Sequence, residues 1–315
     1  MTKNAGIIFS LLLFCSMGAL AEQVVAKGEP IALSRAGEYY LSPKWSPSGD
    51  QVAAGGPSYT GLYLLDFPTG NVQQLSSDYS AGWGFAWSHD GSRIASKISH
   101  FEKMRRKVTL VTFDVAEGTM ESLTAPRSTW SGTPLWTEND AHLYLTHADK
   151  FESFSTTNEE STLRASHLNY VRDGKFHNRV TTNSSTNEIV QFQDQDRIYS
   201  YAISPDGEHV AYSTAGQNLW VAKVNGEDRI SLGRGSVPAW SPDGEWITFM
   251  LSFDDGHSIT GSDIHVIKRD GTYRNNLTKT PDIHEMNPQW SPEGIWIVFD
   301  TDAHGQLFVQ QVEWR

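Results

Sequence analysis

Cysteine is almost missing from this sequence of 315 residues: Cys15 is the single one. A chain with one thiol, placed that early, has no disulfide framework, no Cys-ligated zinc site and no cysteine nucleophile beyond residue 15. Positive charge is also scarce, with 25 Lys+Arg against 37 Asp+Glu and a net charge of -12. An acidic surface repels phosphate, so nucleic acid is not an expected partner. Long apolar runs are absent after residue 21, and no membrane span is expected there. The chain has no G-x-S-x-G elbow, no H-E-x-x-H zinc helix and no Gly-rich phosphate loop. What it does have is 38% hydrophobic residues with 11 Trp, 11 Tyr and 14 Phe, ample material for a packed core.

Residues 1–21 read MTKNAGIIFSLLLFCSMGALA: one Lys, an apolar run from Ala5 to Cys15, then Ala19-Leu20-Ala21. This is the order of a secretory leader with a small-x-small cleavage site, and cleavage is expected after Ala21. The apolar part is shorter than the ~20 residues that a bilayer-spanning helix needs. Export to the periplasm or medium of a bacterium is therefore expected, with residues 22–315 as the mature chain.

Six segments repeat one pattern: KWSPSGDQVAAGG (44–56), AWSHDGSRIASKI (86–98), LWTENDAHLYLTH (135–147), AISPDGEHVAYST (202–214), AWSPDGEWITFML (239–251) and QWSPEGIWIVFDT (289–301). Their anchors Trp45, Trp87, Trp136, Ile203, Trp240 and Trp290 are 42, 49, 67, 37 and 50 residues apart, the period of propeller blades. In each copy Pro fixes φ, Asp caps a turn and Gly takes a positive φ, so Ser-Pro-Asp-Gly joins two strands. The residues that follow alternate in strand fashion, as with Ile247 and Phe249. A second hairpin follows at 62–76, 108–124, 163–181, 219–233 and 264–278, each around a Gly-containing turn. The last unit supplies only LFVQQVEWR (307–315), one strand short. Pro30-Ile31-Ala32-Leu33-Ser34 resembles the endings of the fourth strands and is expected to pair in the last blade, covering its exposed edge. The expectation is an all-β, six-bladed β-propeller of four-stranded antiparallel blades, one domain over 22–315, with the ring closed by the N-terminal strand. Segments 149–162 and 181–194, rich in Ser, Thr, Asn and Glu, are expected to be surface loops.

W-S-P-D-G followed by a strand, then a hairpin of the form I-H-V-x-x-x-D-G-x-x-x-x-L-T, resembles the TolB-like, WD-repeat-like propeller repeat. The likeness covers nearly all of residues 30–315 and departs at Thr137-Glu138-Asn139-Asp140 and at Ile203. The resemblance implies a propeller found in periplasmic binding subunits, in the non-catalytic half of prolyl-oligopeptidase-like enzymes and in some polysaccharide lyases. Such a fold does not choose among these activities. The family's namesake carries an additional small N-terminal domain; only Glu22 to Glu29 stand before the first expected strand here, so none is expected.

The repeated Trp residues are expected to pack the core, since apolar positions at repeat spacing are the shared interior of stacked units. The loops entering each innermost strand converge around a central channel, the place for a ligand. They carry Tyr40, beside Glu38 and Tyr39, then Trp83, Trp130, Arg197, Tyr199, Arg234, His284 and Glu285. Aromatic faces with Arg, His and Glu suit a protein, peptide or glycan ligand. Changing Trp130 and Arg234 together to Ala is expected to abolish binding with little effect on stability. The reading is a non-enzymatic binding or scaffold module of the cell envelope, with no catalytic residue, metal or cofactor. The alternative is a propeller-type oligouronide lyase, in which His284 or Arg234 acts on a uronate with the help of a divalent metal.

Overall fold

Each Ser-Pro-Asp-Gly turn is held by its own serine. Ser241 Oγ accepts the N–H of Trp246 at 3.0 Å and donates to Asp243 at 2.5 Å, while Gly244 takes a φ of +71°. Ser88, Ser204 and Ser291 accept the N–H of Arg93, His209 and Trp296 in the same way, at 2.9, 2.9 and 3.0 Å. Where the pattern departs, Thr137 takes the serine's place and receives the His142 N–H at 3.1 Å. Asp140 then holds a φ of +55°, which a short polar side chain tolerates better than most. Its buried carboxylate accepts the N–H groups of His89 and Asp90 from the neighbouring turn, both at 2.9 Å.

The computed structural model describes residues 23–147, 150–156, 166–182, 185–280, 283–302 and 304–315; the leader expected at 1–21 lies outside them. The chain runs through β1 (Val24–Ala26) and β2 (Ile31–Ala32) into a first sheet of β3 (Leu41–Trp45), β4 (Gln51–Gly55), β5 (Leu62–Asp66) and β6 (Val72–Ser76). The second sheet holds β7 (Ala86–Trp87), β8 (Arg93–Glu102), β9 (Arg105–Asp114) and β10 (Met120–Ser122). A third joins β11 (Ser131–Trp136), β12 (His142–His147) and β13 (Lys150–Ser155), and a fourth β14 (Ser166–Arg172), β15 (Lys175–Thr182) and β16 (Ser185–Phe192). The fifth is β17 (Ile198–Ile203), β18 (His209–Thr214), β19 (Asn218–Lys223) and β20 (Ile230–Arg234). The sixth is β21 (Ser236–Trp240), β22 (Trp246–Asp254), β23 (Ile259–Lys268) and β24 (Arg274–Asn276). The last is β25 (Glu285–Trp290), β26 (Trp296–Thr301) and β27 (Phe308–Trp314).

The expected pairing of the N-terminal strand is present: Ile31 lies opposite Val309 and Ala32 opposite Phe308, antiparallel. A second segment does the same further along, Val24 facing Trp314. The blade count differs from expectation. Among the described residues there are seven sheets, not six, because the 67-residue third repeat divides into two three-stranded sheets. Stretches expected to be loops supply β13 and β16, which pair with β12 and β15; 157–165 lies outside the described residues. The fourth sheet carries no Trp-Ser-Pro-Asp-Gly, so counting signatures misses it. Its seam with the third is aromatic instead: Phe151 stacks on Tyr144 and Tyr170, at 5.0 and 5.4 Å between centroids.

The repeated Trp residues stitch the sheets together. Trp87 Nε1 donates to the carbonyl of Lys44, Trp136 to Ala86, Trp240 to Ala202 and Trp45 to Gln289, at 3.0–3.2 Å. Each acceptor immediately precedes the anchor residue of the sheet before, so a first strand is hydrogen-bonded to the next first strand. Tyr201 replaces the indole at the fourth-to-fifth seam, its hydroxyl donating to Asn169 O at 2.7 Å. Each of these donors adds a hydrogen bond across the seam to a carbonyl of the neighbouring first strand. Apolar clusters fill the seams behind these bonds, including Trp45, Val52 and Leu65 of the first sheet with Val298 and Val309 of the last. At the first-to-second seam Gly55 and Gly82 bring their backbones together: a Cβ on Gly82 would stand 2.3 Å from the Gly55 Cα.

Candidate functional site

The end of the sheets at which the chain enters its first strands is shaped by bulges. Register shifts interrupt β3, β11, β17, β21 and β25 near this end. Ser42, Val237 and Asn287, each three residues before its Trp, hold φ values of +51° to +53°. For a β-branched Val this is a strained conformation. The bulge amides are capped by side chains: Asp300 Oδ2 accepts the Ser42 N–H at 2.8 Å, and Ser200 Oγ the Val237 N–H at 3.2 Å.

The eight residues expected at this mouth divide. Tyr40 is buried in the seam between first and last sheets, edge-on to Tyr63, and burial followed by the nearby Glu38 raises its pKa to about 12. Glu285 is fully buried; Thr280 donates to its Oε1, its Oε2 is unpartnered among the described residues, and burial pushes its pKa up to about 7. Neither offers a face to a ligand. His284 Nδ1 stands 3.9 Å from an Asp302 carboxylate oxygen. Arg197 is exposed beside the Gly174 turn. Arg234 donates to Gln217 Oε1 at 3.0 Å and lies over the Phe253 ring. His284, Arg197 and Arg234 thus occupy separate places.

Trp83 and Trp130 do come together, and Tyr199 borders a neighbouring cavity. Trp83, 55% exposed, and Trp130 wall a cavity of about 230 Å³ with Ser80, Lys97, Arg106 and Thr129. Trp130 is itself buried, held between Phe154 and the Arg127 guanidinium 4.6 Å from its ring. Arg127 in turn donates to both carboxylate oxygens of Glu152 at 2.9 Å. Trp83 meets Tyr59 edge-on at 4.5 Å. Tyr199, 69% exposed, borders a second cavity of about 220 Å³ with Tyr144, Phe151, Tyr170 and Tyr201. Gly132 lines both, so two aromatic hollows adjoin at one residue. Sequence reading found the rings and missed the cations. Lys97 and Arg106 sit on the long β8–β9 hairpin, whose Lys103-Met104-Arg105-Arg106-Lys107 is a basic run in an acidic chain.

Elsewhere, a larger cavity of about 470 Å³ at the β17–β18 turn is lined by Asp206, Glu208, His167 and Lys223. Asp206, Glu208 and His209 have ligand atoms within 4.8 Å of one another, a spacing a cation could use. Asp206 already serves its turn, accepting the Ser204 hydroxyl and the Glu208 N–H, bonds that lower its pKa. These exposed acidic groups are consistent with ordinary turn chemistry.

Sheets packed one on the next in sequence, with the last against the first, define a β-propeller that is TolB-like and WD-repeat-like in its blades. Among solved structures the chain is similar to TolB from Acinetobacter baumannii, at 17% identity and a TM-score of 0.52, over 81% of this chain and 57% of that one. It thus spans little more than half the length of that TolB. It is also similar to the Cps50 (Swd1) β-propeller domain of Myceliophthora thermophila, at 14% identity and 0.60, covering 90% of this chain and 99% of that one. A provisional TolB from Agrobacterium tumefaciens matches at 17% and 0.53, over 90% and 92%. No protein-family model matches the sequence, and no curated protein does. These likenesses establish the fold. No helix among the described residues is long and apolar enough to cross a membrane.

Proposed function

We propose that this protein is an exported, non-enzymatic binding or scaffold module of the periplasm or medium, taking a protein, peptide or glycan at the entry-loop mouth. The observation that carries the reading is the pair of aromatic cavities meeting at Gly132. Rings on a rigid scaffold offer large contact area at low entropic cost, and Trp83 and Tyr199 are already exposed to a partner. The leader sequence supports export, and the reading calls for no cofactor or metal. The uronide lyase gains no support from the geometry, since His284 faces Asp302 while Arg234 lies over Phe253.

A thermal-shift screen of glycans, peptides and envelope proteins tests the proposal, because binding to the folded state raises its apparent stability. The expected result is saturable stabilisation without product, lost in Trp83→Ala. Turnover of a ligand, or binding unchanged in that variant, refutes it. Edman sequencing of the protein recovered from the periplasm should begin at Glu22.

A further inference from the structure

Two cations share the Trp83–Trp130 cavity without a carboxylate to balance them. Lys97 is 6% exposed, and its ammonium donates to the carbonyl of Gly132. Arg106 donates through Nε to Ser99 Oγ and through Nη2 to Ser80 Oγ, both at 3.0 Å. Hydroxyls and a carbonyl carry no charge, and neither cation has an ion pair among the described residues. The contrast with Arg127 in the adjoining wall, which grips Glu152, is direct. An unpaired buried ammonium is costly, and the Arg106 charge adds to the cost; burial first and then Arg106 bring the Lys97 pKa down to about 8. A chain with 12 more acids than bases nevertheless places two bases here and no acid.

We infer that this cavity is an anion-binding site, which takes the carboxylate- or phosphate-bearing unit of the ligand between Lys97 and Arg106 with the rest of that unit against Trp83. The inference rests on the binding reading above and specifies its chemistry. Directly opposed residues on the β8–β9 hairpin share a face, and Phe101 stands opposite Arg106, so the cavity face of the hairpin continues outward through a ring 64% exposed. At about 230 Å³ the cavity is smaller than the ~300–1,000 Å³ that encloses a whole small molecule, so it receives one unit of a larger ligand. Hydroxyls of Ser80, Ser128 and Thr129 at its edge can hydrogen-bond that unit's polar groups.

The test compares D-glucuronate, D-glucose 6-phosphate and D-glucose, one ring with and without an anion, by thermal shift on the wild-type protein. Charge-assisted hydrogen bonds should make at least one anionic sugar bind about tenfold more tightly than glucose. The two anionic arms separate carboxylate from phosphate. Lys97→Met keeps the unbranched chain as far as the Cε position without the ammonium and should remove that preference while folding at least as well as wild type; Arg106→Gln, a more exposed change, should reduce it. Equal binding of all three sugars, no shift at the highest soluble concentrations, or a preference that survives Lys97→Met overturns the inference. If uncharged ligands bind and Trp83→Ala still abolishes that binding, the wider binding reading stands and the anion site alone fails.

Discussion

Replacing Trp240 by Phe tests whether the anchor indoles hold the sheets together through their N–H or only through their bulk. Trp240 is 8% exposed and donates at 3.0 Å to Ala202 O across the fifth-to-sixth seam. Phe removes the donor while the Ala202 carbonyl keeps its partner in the β17–β18 ladder, so the loss is the net worth of one hydrogen bond, ~0.5–1.5 kcal/mol. Trimming indole to phenyl in a packed seam adds ~1–2 kcal/mol, well below full truncation to Ala. Trp290 supplies the control. It is 7% exposed, packs near Trp314 at 5.7 Å and has no acceptor for its Nε1 among the described residues, so Trp290→Phe should lose the packing part alone. Guanidinium unfolding, compared at matched m-values, should therefore place Trp240→Phe below Trp290→Phe by ~0.5–1.5 kcal/mol. Equal losses would show that the indole N–H adds nothing and would refute the stitching argument.

Asp300, buried between Ser42 and Asn287, is raised from 3.8 to about 7, by burial above all. Between those values the folded chain keeps a proton that the unfolded chain has released, so stability should fall as pH rises from about 4 to 7 and stay lower above it. At ~1.4 kcal/mol per pH unit the loss from this group is a few kcal/mol. Asp300→Asn should flatten the slope of unfolding free energy between pH 4 and 7; an unchanged slope sinks the assignment. Gly82→Ala sets a methyl against the Gly55 backbone and should cost at least ~3 kcal/mol or prevent folding, read by circular dichroism and soluble yield. Trp130→Ala should cost ~3–5 kcal/mol in chemical denaturation, not the small change expected from sequence, because the ring is buried on Phe154 and under Arg127. By contrast Trp83→Ala, at an exposed ring, should change stability by under ~1 kcal/mol and ligand affinity strongly.

Local rules carried most of the architecture. Pro, Asp and Gly at fixed offsets impose a turn wherever they stand, and period-two apolar residues impose a strand, so five of the repeats fell where the pattern put them. The short N-terminal segment at Ile31–Ala32 was recognisable because it echoes the ends of the fourth strands. The fourth sheet was not, since it lacks the turn signature and is held by rings from its neighbour, Phe151 against Tyr170. A stretch of Ser, Thr and Asn reads as loop until a partner strand satisfies its backbone, and β13 and β16 acquire that partner only in three dimensions.

The candidate site divides along the same line. The spacing of the repeats already placed aromatic and charged residues in the entry loops. Which of them face outward depends on seams between sheets: the first-to-last seam takes Tyr40 and the sixth-to-last takes Glu285, while Trp83 and Tyr199 remain exposed. Lys97 and Arg106 are nine residues apart on paired strands and near loops 17 and 24 residues away, at Ser80 and Trp130. Turn geometry and strand alternation are short-range properties that neighbouring residues specify. The identity of a cavity depends on how strand registers and seam packing bring distant loops to one place, and that depends on the whole set of sheets.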